Sequence, residues 1–216
     1  PLPWPAPSDI FLVGFTSGTT SQPKAFARAR HSWRVSLDAS RAAFALTDHS
    51  HTFSPGPLAH GITMYAFAET LDLGATFFGI THFGRPAAHR AMSGARRIVA
   101  VPTLLSALSQ GEKQSQICEI TTAGSKLSPT LLAKAKAHFP SARLHEYYGA
   151  SELGFVSMST HGPNSSSAPA QSVGHPFEHV SLSLRKDGRE VPQGKPGTIF
   201  VRGDLAIDGY FWGGRN

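Results

Sequence analysis

Short apolar runs alternate with segments of helical periodicity along roughly the first 150 residues. The apolar runs have the length of strands and fall at residues 10–15, 75–80, 96–101, 117–124 and 142–149. Helical spacing occupies residues 31–46, 62–73, 103–110 and 131–139. Pro102 and Pro129 suit first helical positions, and Ser128 is a typical N-cap residue. This alternation predicts parallel βαβ units around a buried sheet.

The pattern changes to a period of two after Gly154. The run VSLSLRKDGREVPQGKPGTIFVRG, residues 180–203, alternates apolar and polar positions around a DG turn and a PQGKPG turn. Such a pattern predicts a β-hairpin or a small antiparallel sheet. The predicted fold class is therefore α/β, with a parallel βαβ sheet followed by a β-rich portion. The predicted boundaries are an α/β core at 1–156, a flexible polar loop at 157–172 and the β-rich segment at 173–216.

Composition and charge narrow the possible partners. Hydrophobic residues make up 40% of the 216 residues, and the formal net charge is +6. A basic chain can bind nucleic acid or small polyanions such as nucleotides and coenzyme A. The densest basic run, Arg28–Arg34, does not have the repeated aromatic residues of a base-stacking surface and is typical of a solvated helix face. Nucleic acid is therefore not the favoured partner.

The single cysteine and the hydropathy pattern bear on the compartment. Cys118 lies in the apolar-flanked run QICEITT, which favours a buried structural thiol over a catalytic nucleophile. No apolar run reaches the 18 residues of a membrane-spanning helix, so no transmembrane segment is expected. These features fit a reducing compartment, and a cytoplasmic location is the expectation.

The loop FTSGTTSQPK, residues 15–24, is the most chemically distinctive stretch. It follows a predicted strand, where open α/β sheets bind ligands. Backbone N–H groups around its glycine, several hydroxyl groups and Lys24 would together suit a polyphosphate. The spacing is not that of the nucleotide P-loop. By composition alone, an ordinary Ser/Thr turn is an equal alternative.

The same loop resembles the phosphate-binding signature of the adenylate-forming superfamily, which contains acyl-CoA synthetases, adenylation domains of peptide synthetases and firefly-type luciferases. Ser21 stands where that pattern usually has Gly. Further segments resemble the family's motifs in the expected order, and together they cover nearly all of the chain. They are SPGPLAHGITMYA, TTAGSKLSP, EYYGASELG and GTIFVRGDLAIDGYFW.

The resemblance implies a role for individual residues. His60 would border the acyl pocket, with Ile62, Met64 and Phe155 as positional guesses for its walls. Lys24, Glu152 and His60 are the implied catalytic residues, and Glu152 would hold Mg²⁺. The implied ATP-binding residues are Thr16, Ser17, Gly18, Thr19, Thr20, Lys24, Gly124, Ser125, Lys126, Tyr148, Gly149, Ala150, Ser151 and Glu152. Among them, Tyr148 would stack on adenine and Ser151 would contact the α-phosphate.

The implied activity is ATP-dependent conversion of a carboxylic acid into an acyl-adenylate. Transfer of the acyl group to coenzyme A would follow, as in fatty acid metabolism, although a carrier-protein thiol is an equally open acceptor. The implied cofactors and substrates are thus ATP, Mg²⁺, coenzyme A and a carboxylic acid. Neither the acid nor the oligomeric state can be read from these motifs.

The family also uses a ribose-binding Asp and a C-terminal Lys, and neither has a counterpart among these 216 residues. Two interpretations follow from this difference. The chain is a fragment of a longer enzyme, which its Pro-rich beginning and abrupt end favour, or it is a degenerate nucleotide-binding module without complete catalysis.

Two other motifs favour structural interpretations. The stretch HPFEH, residues 175–179, has the spacing of an inverted zinc-protease motif, but Pro176 and the following alternation predict turn and strand rather than the helix that motif needs. Glu69 and Asp72 form a potential carboxylate pair on a helix that is predicted to be packed.

Overall fold

The computed structural model describes residues 8–16, 23–162, 169, 171–207 and 209–212, with backbone only at 211 and 212. The chain divides into two compact units. The first contains the described residues up to Asp38, Ala150–Val156 and the described residues from Pro176 onward. The second contains Ala39–Gly149 together with the described residues between Ser157 and His175.

The described residues form five helices and thirteen strands. The helices are α1 (Arg30–Ala43), α2 (Gly61–Asp72), α3 (Arg85–Met92), α4 (Pro102–Leu108) and α5 (Pro129–His138). The strands are β1 (Ile10–Thr16), β2 (Lys24–Ala29), β3 (Thr52–Phe53), β4 (Phe77–Phe78), β5 (Arg97–Val99), β6 (Glu119–Thr122), β7 (Arg143–Ala150), β8 (Gly154–His161), β9 (His175–Pro176), β10 (Val180–Lys186), β11 (Arg189–Glu190), β12 (Thr198–Gly203) and β13 (Tyr210–Trp212).

A seven-stranded sheet in the order β4-β3-β5-β6-β7-β8-β9 forms the centre of the second unit, and β8 enters it from the first unit. The pairs that link β4 through β7 are all parallel. The predicted parallel βαβ arrangement is confirmed for these strands. Short β3 and the helix α3 were not predicted, because a two-residue strand and an eight-residue helix carry too little periodicity to be recognised.

One row of apolar side chains crosses this sheet. Phe53, Ile98, Ile120 and Leu144 are register partners on β3, β5, β6 and β7, and all four are buried. Parallel sheets covered by helices bury both faces, which explains the continuous apolar runs in these strands. Full burial of each side chain of this size stabilises the folded state by roughly 1.5–3 kcal/mol.

The predicted helix starts are confirmed at α4 and α5. Pro102 is at the first turn of α4, and Pro129 is at the first turn of α5. Ser128 Oγ accepts a hydrogen bond from the Leu131 N–H at 3.1 Å, which satisfies one of the free donors at the start of α5.

The first unit holds two antiparallel sheets. One has the order β1-β2-β13, and the other has the order β11-β10-β12. The predicted DG turn connects β10 to β11, with Asp187 at φ 51° and Gly188 at φ 77°. Positive φ at both central residues is what a tight hairpin turn requires.

The environment of β1 differs from the prediction. The apolar run at residues 10–15 suggests a strand of the α/β sheet, but β1 pairs antiparallel with β2, which was not predicted. The first and last residues of the 15–24 motif therefore lie on two paired antiparallel strands, with Thr16 opposite Lys24. Gly14 lies opposite Phe26, and a Cβ on it would come within 2.3 Å of the Phe26 ring, so the glycine allows the close approach of that ring.

Three smaller predictions need correction or qualification. Residues 157–161, predicted as the start of the flexible loop, belong to β8, and residues 163–168 and 170 lie outside the described ones. Cys118 is exposed rather than buried, while its neighbour Ile117 is buried, because adjacent residues of an extended segment face opposite sides. His175 lies in β9 and His179 in the turn after it, as predicted for HPFEH.

A helix that spans a membrane needs about 20 consecutive, mostly apolar residues. Within the described part of the chain, none of the helices is both long and apolar enough to cross a bilayer.

Candidate active site

Four separate segments of the first unit bring polar side chains together. Thr16 is the last residue of β1, Lys24 is the first residue of β2, Glu152 lies in the turn before β8, and Tyr210 begins β13. Their sequence separation is large, so only folding makes them neighbours. Ser17, Gly18, Thr19 and Thr20, which the sequence also assigns to ATP binding, lie outside the described residues.

The Glu152 carboxylate is held by two hydroxyl groups. Thr16 Oγ1 donates to Glu152 Oε1 at 3.2 Å, and Tyr210 Oη donates to the same oxygen at 3.0 Å. The Glu152 backbone carbonyl also accepts a hydrogen bond from the Ile207 N–H at 2.8 Å. Both the side chain and the backbone of this residue therefore have defined positions.

Tyr210 also contacts the lysine at the start of β2. Lys24 Nζ lies 5.0 Å from the centroid of the Tyr210 ring, within cation–π range. The hydrogen bond to Glu152, followed by burial and the negative charge of Glu152, raises the pKa of Tyr210, so the phenol is a donor at neutral pH. Lys24 and Glu152 thus both contact the same tyrosine.

The turn that carries Ser151 and Glu152 is fixed by its neighbours. The Arg28 guanidinium donates to the carbonyl oxygen of Ser151 at 2.6 Å and also to that of Leu205. Gly154 has φ 69°, and a Cβ there would come within 2.7 Å of the Leu205 side chain. Arg28 lies in β2, so its predicted place on a solvated helix face is wrong.

A second group of predicted residues lies in the second unit. The segment Gly124–Lys126 follows β6, and Gly124 has φ 95°, a conformation that favours glycine. Glu146 on β7 holds this segment: its carboxylate accepts from the Leu127 N–H at 2.7 Å and from Lys126 Nζ at 2.5 Å. Lys126 Nζ also donates to the Ser172 carbonyl oxygen at 2.8 Å. The ammonium group of Lys126 is therefore engaged within the protein.

The Glu146 carboxyl is ionised in this environment. Burial by itself would raise its pKa, but nearby His161, the Lys126 ammonium and the Leu127 N–H together lower the pKa of Glu146. His161 Nε2 lies 3.7 Å from Glu146 Oε2. The buried carboxylate is an acceptor that fastens the Gly124–Lys126 segment to β7.

Side chains alternate in direction along β7, so Tyr147 and Tyr148, which follow Glu146, have different environments. Tyr148 is 40% exposed, as expected for a ring that would stack on a ligand. Tyr147 lies 6.4 Å from Phe44 between ring centroids, and burial is the main cause that raises its pKa. Tyr148 is thus the residue of this pair that a base could reach.

The residues suggested for an acyl pocket have mixed environments. His60 is exposed at the N-cap position of α2, and its side chain makes no capping hydrogen bond. Ile62 and Met64 are partly buried. Phe155 is buried in the first unit against Phe177, with ring centroids 5.2 Å apart, and so has a packing role.

Among the four residues Thr16, Lys24, Glu152 and Tyr210, Glu152 alone has a carboxylate that could bind a divalent cation. Among the described residues, no group of three or more His, Cys, Asp or Glu side chains could hold a metal ion. Mg²⁺ bound with nucleotides typically uses one or two carboxylates together with phosphate oxygens and water. Glu152 fits that mode, because its carboxylate is partly exposed and held in place by Thr16 and Tyr210.

Sequence reasoning missed three residues of these groups. Tyr210, Arg28 and Glu146 hold the predicted site residues, yet none of them was assigned a role. Tyr210 and Glu146 do lie inside or beside the recognised motifs, in the segments IDGYFW and HEYYG. Their contacts join residues far apart in the chain, so only the fold reveals what they do.

Comparisons with known proteins agree with the motifs. The family model described as AMP-binding enzyme matches residues 1–211. A putative long chain fatty acid-CoA ligase (VraA) of Staphylococcus epidermidis is 33% identical over 208 residues, which is 94% of this chain and 44% of that protein. An uncharacterized acyl-CoA ligase (YhfT) of Bacillus subtilis is 33% identical, with 97% of this chain and 44% of that protein covered.

Solved structures show the same fold. O-succinylbenzoate coenzyme A synthetase of Bacillus subtilis, in complex with ATP and magnesium, has a TM-score of 0.84 at 21% identity, covering 95% of this chain and 44% of that chain. The amide bond synthetase McbA of Marinactinospora thermotolerans has a TM-score of 0.84 at 26% identity, covering 98% and 44%. The chain spans less than half the length of these relatives. From the motifs, the parallel sheet and the family match over nearly the whole chain, we conclude that the chain belongs to the AMP-binding enzyme family, within the adenylate-forming superfamily.

Proposed function

We propose that this chain provides the ATP-handling part of an enzyme that activates a carboxylic acid as an acyl-adenylate and then forms a thioester with coenzyme A. The single observation that carries the proposal is the arrangement of Thr16, Lys24, Glu152 and Tyr210 in the first unit. In this arrangement, the lysine and the glutamate of the two motifs that resemble the family's phosphate and Mg²⁺ sites both contact Tyr210. Membership of the AMP-binding family and the printed ligase names of relatives support it.

The first reaction step brings two anions together. An oxygen of the substrate carboxylate would attack the α-phosphorus of ATP, the bond from that phosphorus to the bridging oxygen would break, and pyrophosphate would leave with the electron pair. Charge neutralisation and positioning supply most of the rate enhancement in such reactions. Mg²⁺, when bound, supplies charge neutralisation at the phosphates.

The residues of this chain would divide that work. Lys24 would balance the charge of the departing β- and γ-phosphates, and the Ser151 hydroxyl would contact the α-phosphate. Glu152 would hold Mg²⁺. Tyr148, exposed on β7, would stack on adenine beside the segment Gly124–Lys126, and His60 would border the acyl chain. These assignments are carried over from the family motifs.

The second step would release AMP. A thiolate would attack the acyl carbonyl carbon, the carbon–oxygen bond to AMP would break, and AMP would leave as the thioester forms. Coenzyme A is the proposed thiol because the named relatives are CoA ligases. A fatty acid is the proposed substrate class on the same ground, and a soluble cytoplasmic enzyme is the proposed setting.

The test uses the full-length protein that contains this chain. Exchange of labelled pyrophosphate into ATP is measured with a panel of aliphatic and aromatic acids, each with Mg²⁺ and with excess chelator. We expect acid-dependent and Mg²⁺-dependent exchange, followed by AMP release when coenzyme A is added. ATP binding without exchange for every acid would instead support a nucleotide-binding module that lacks the reaction. Transfer to a carrier-protein thiol but not to coenzyme A would revise the acceptor.

A further inference from the structure

Tyr210 contacts both of the side chains that carry the proposed ATP chemistry in the first unit. Its hydroxyl donates to Glu152 Oε1 at 3.0 Å, and its ring lies 5.0 Å from Lys24 Nζ. We propose that Tyr210 is a positioning residue that orients the Glu152 carboxylate for Mg²⁺ and holds Lys24 for the outer phosphates of ATP. This inference rests on the proposed function and assigns a role that the motifs themselves do not contain.

The carboxylate geometry supports the first half of the proposal. The hydrogen bonds from Thr16 and Tyr210 both fall on Glu152 Oε1. Two donors on one oxygen restrict rotation of the carboxylate, and hydrogen bonds to a charged acceptor are the stronger kind. Glu152 Oε2 has no hydrogen-bond partner in the described part of the chain, so it is the oxygen that a cation can approach. One-oxygen coordination is typical of Mg²⁺ with nucleotides.

The lysine geometry supports the second half. No ion pair joins Lys24 to Glu152 among the residues that the structure describes, and each of the two side chains contacts Tyr210 instead. A direct pair would neutralise both groups, and neither would then be available to phosphate or metal. Contact with the face of the ring also limits the rotamers of a long, flexible side chain. Tyr210 therefore contacts both charged groups, which are not paired with each other.

The surrounding backbone explains why the tyrosine can do both. Tyr210 pairs with Phe26 on β2, the strand that begins at Lys24. The Ile207 N–H, three residues before Tyr210, donates to the Glu152 carbonyl oxygen at 2.8 Å. Backbone contacts of Tyr210 and of nearby Ile207 thus connect this part of the chain to β2, which carries Lys24, and to the turn that carries Glu152.

Two substitutions of Tyr210 separate its contacts. Tyr210→Phe removes the hydroxyl and keeps the ring, whereas Tyr210→Leu removes both. Thr16→Val removes the other donor to Glu152 Oε1 and leaves the ring in place. Tyr65→Phe is the matched control, because it removes a hydroxyl that lies 3.1 Å from Ser40 Oγ in the second unit.

The first measurement is the free Mg²⁺ concentration that gives half-maximal pyrophosphate exchange in the full-length protein. We expect Tyr210→Phe and Thr16→Val each to raise it about three- to tenfold, the net effect of one ordinary hydrogen bond, because the Glu152 carboxylate stays in place and loses only part of its orientation. Tyr210→Leu should raise it similarly and also raise the KM for ATP about two- to tenfold, through loss of the cation–π contact. Tyr65→Phe should leave both quantities at their wild-type values.

The second measurement does not depend on turnover. Calorimetric ATP binding is compared with Mg²⁺ present and with excess chelator. We expect Tyr210→Phe to bind ATP normally in chelator and to lose much of the gain in affinity that Mg²⁺ gives the wild type. A Tyr210→Phe protein with wild-type Mg²⁺ dependence in both measurements would overturn the inference. Wild-type protein that neither binds ATP nor catalyses exchange would instead overturn the proposed function.

Discussion

Two glutamates six residues apart have different roles at the scale of single residues. Glu146 is buried, 8% exposed at its side chain, and its carboxylate is occupied by the Lys126 ammonium and the Leu127 N–H. Glu152 is partly exposed and accepts from two hydroxyl groups on one oxygen. The first is therefore a structural anion, whereas the second is the proposed Mg²⁺ ligand.

Two separate motifs assign Lys24 and Glu152 to the same reaction, and each residue can be tested alone. We expect Lys24→Ala to lower kcat/KM for ATP about 10- to 100-fold, because a charged contact with phosphate is lost.

Glu152→Gln keeps the size of the side chain and a hydrogen-bond acceptor but loses the negative charge. We therefore expect Mg²⁺-dependent pyrophosphate exchange to fall on the order of 100-fold or more.

Both effects are measured as pyrophosphate exchange by the full-length protein. Lys186→Ala is the matched control for Lys24→Ala, because Lys186 is an exposed lysine at the end of β10. Wild-type exchange in the Glu152→Gln protein would refute the metal role of Glu152.

At the scale of elements, polar side chains on β-strands hold irregular segments of the chain in place. The segment Gly124–Lys126 is fastened by Glu146 on β7, and the turn at Ser151 by Arg28 on β2. The start of helix α5 is also held by a polar side chain, because Ser128 Oγ accepts a hydrogen bond from the Leu131 N–H. Loops near ligands need such support because their own backbone makes few regular hydrogen bonds.

The contacts of the Glu146 carboxylate with Lys126 and the Leu127 N–H predict that the stability of the protein depends on pH. Its pKa is lower in the folded protein than the ordinary value of 4.5, owing to His161, Lys126 and the Leu127 N–H acting against burial. The folded state therefore gains stability from Glu146 above about pH 4.5 and loses it as the pH falls through the lowered pKa. Glu146→Gln should lower the free energy of unfolding by about 1–3 kcal/mol at pH 7, and by progressively less as the pH falls below about 4.5.

Urea unfolding at several pH values checks this difference. Glu112→Gln is the matched control, because Glu112 is an exposed glutamate of the same unit. A Glu146→Gln deficit that stays constant from pH 7 to pH 3 would show that ionisation of Glu146 does not contribute.

At the scale of the whole molecule, the apolar core of the second unit surrounds one buried ion pair. Arg97 on β5 and Glu69 on α2 are each 2% exposed and hydrogen-bonded to each other, and Arg97 Nη2 also donates to Thr121 Oγ1 at 3.2 Å. Glu69 was predicted to lie on a packed helix, and its burial confirms this. Removing one member would leave the other charge buried without its partner.

The stability of the second unit should therefore depend on both members. We expect Arg97→Met alone to lower the free energy of unfolding by about 3–5 kcal/mol, and Glu69→Leu together with Arg97→Met to recover most of that loss. Urea unfolding of the two variants and of Glu69→Leu completes a double-mutant cycle. Additive losses in the double variant would contradict the proposed coupling of the two charges.

The sequence by itself determined the family, the parallel α/β class and most helices of the second unit. Periodicity, proline positions and capping are local signals, and the motifs are short contiguous strings, so both can be read along the chain. The tight turn at Asp187 and Gly188 was equally readable, since its conformation depends on those two residues.

Only the tertiary structure decided which strands pair and which side chains meet. An apolar run such as residues 10–15 has the same pattern whether its partner is parallel or antiparallel, so the pairing of β1 with β2 could not be read from it. The contact of Tyr210 with both Lys24 and Glu152 joins three distant segments through strand register and one backbone hydrogen bond. Periodicity describes the environment of each residue separately, whereas such a contact depends on where the fold places residues that are far apart in the chain.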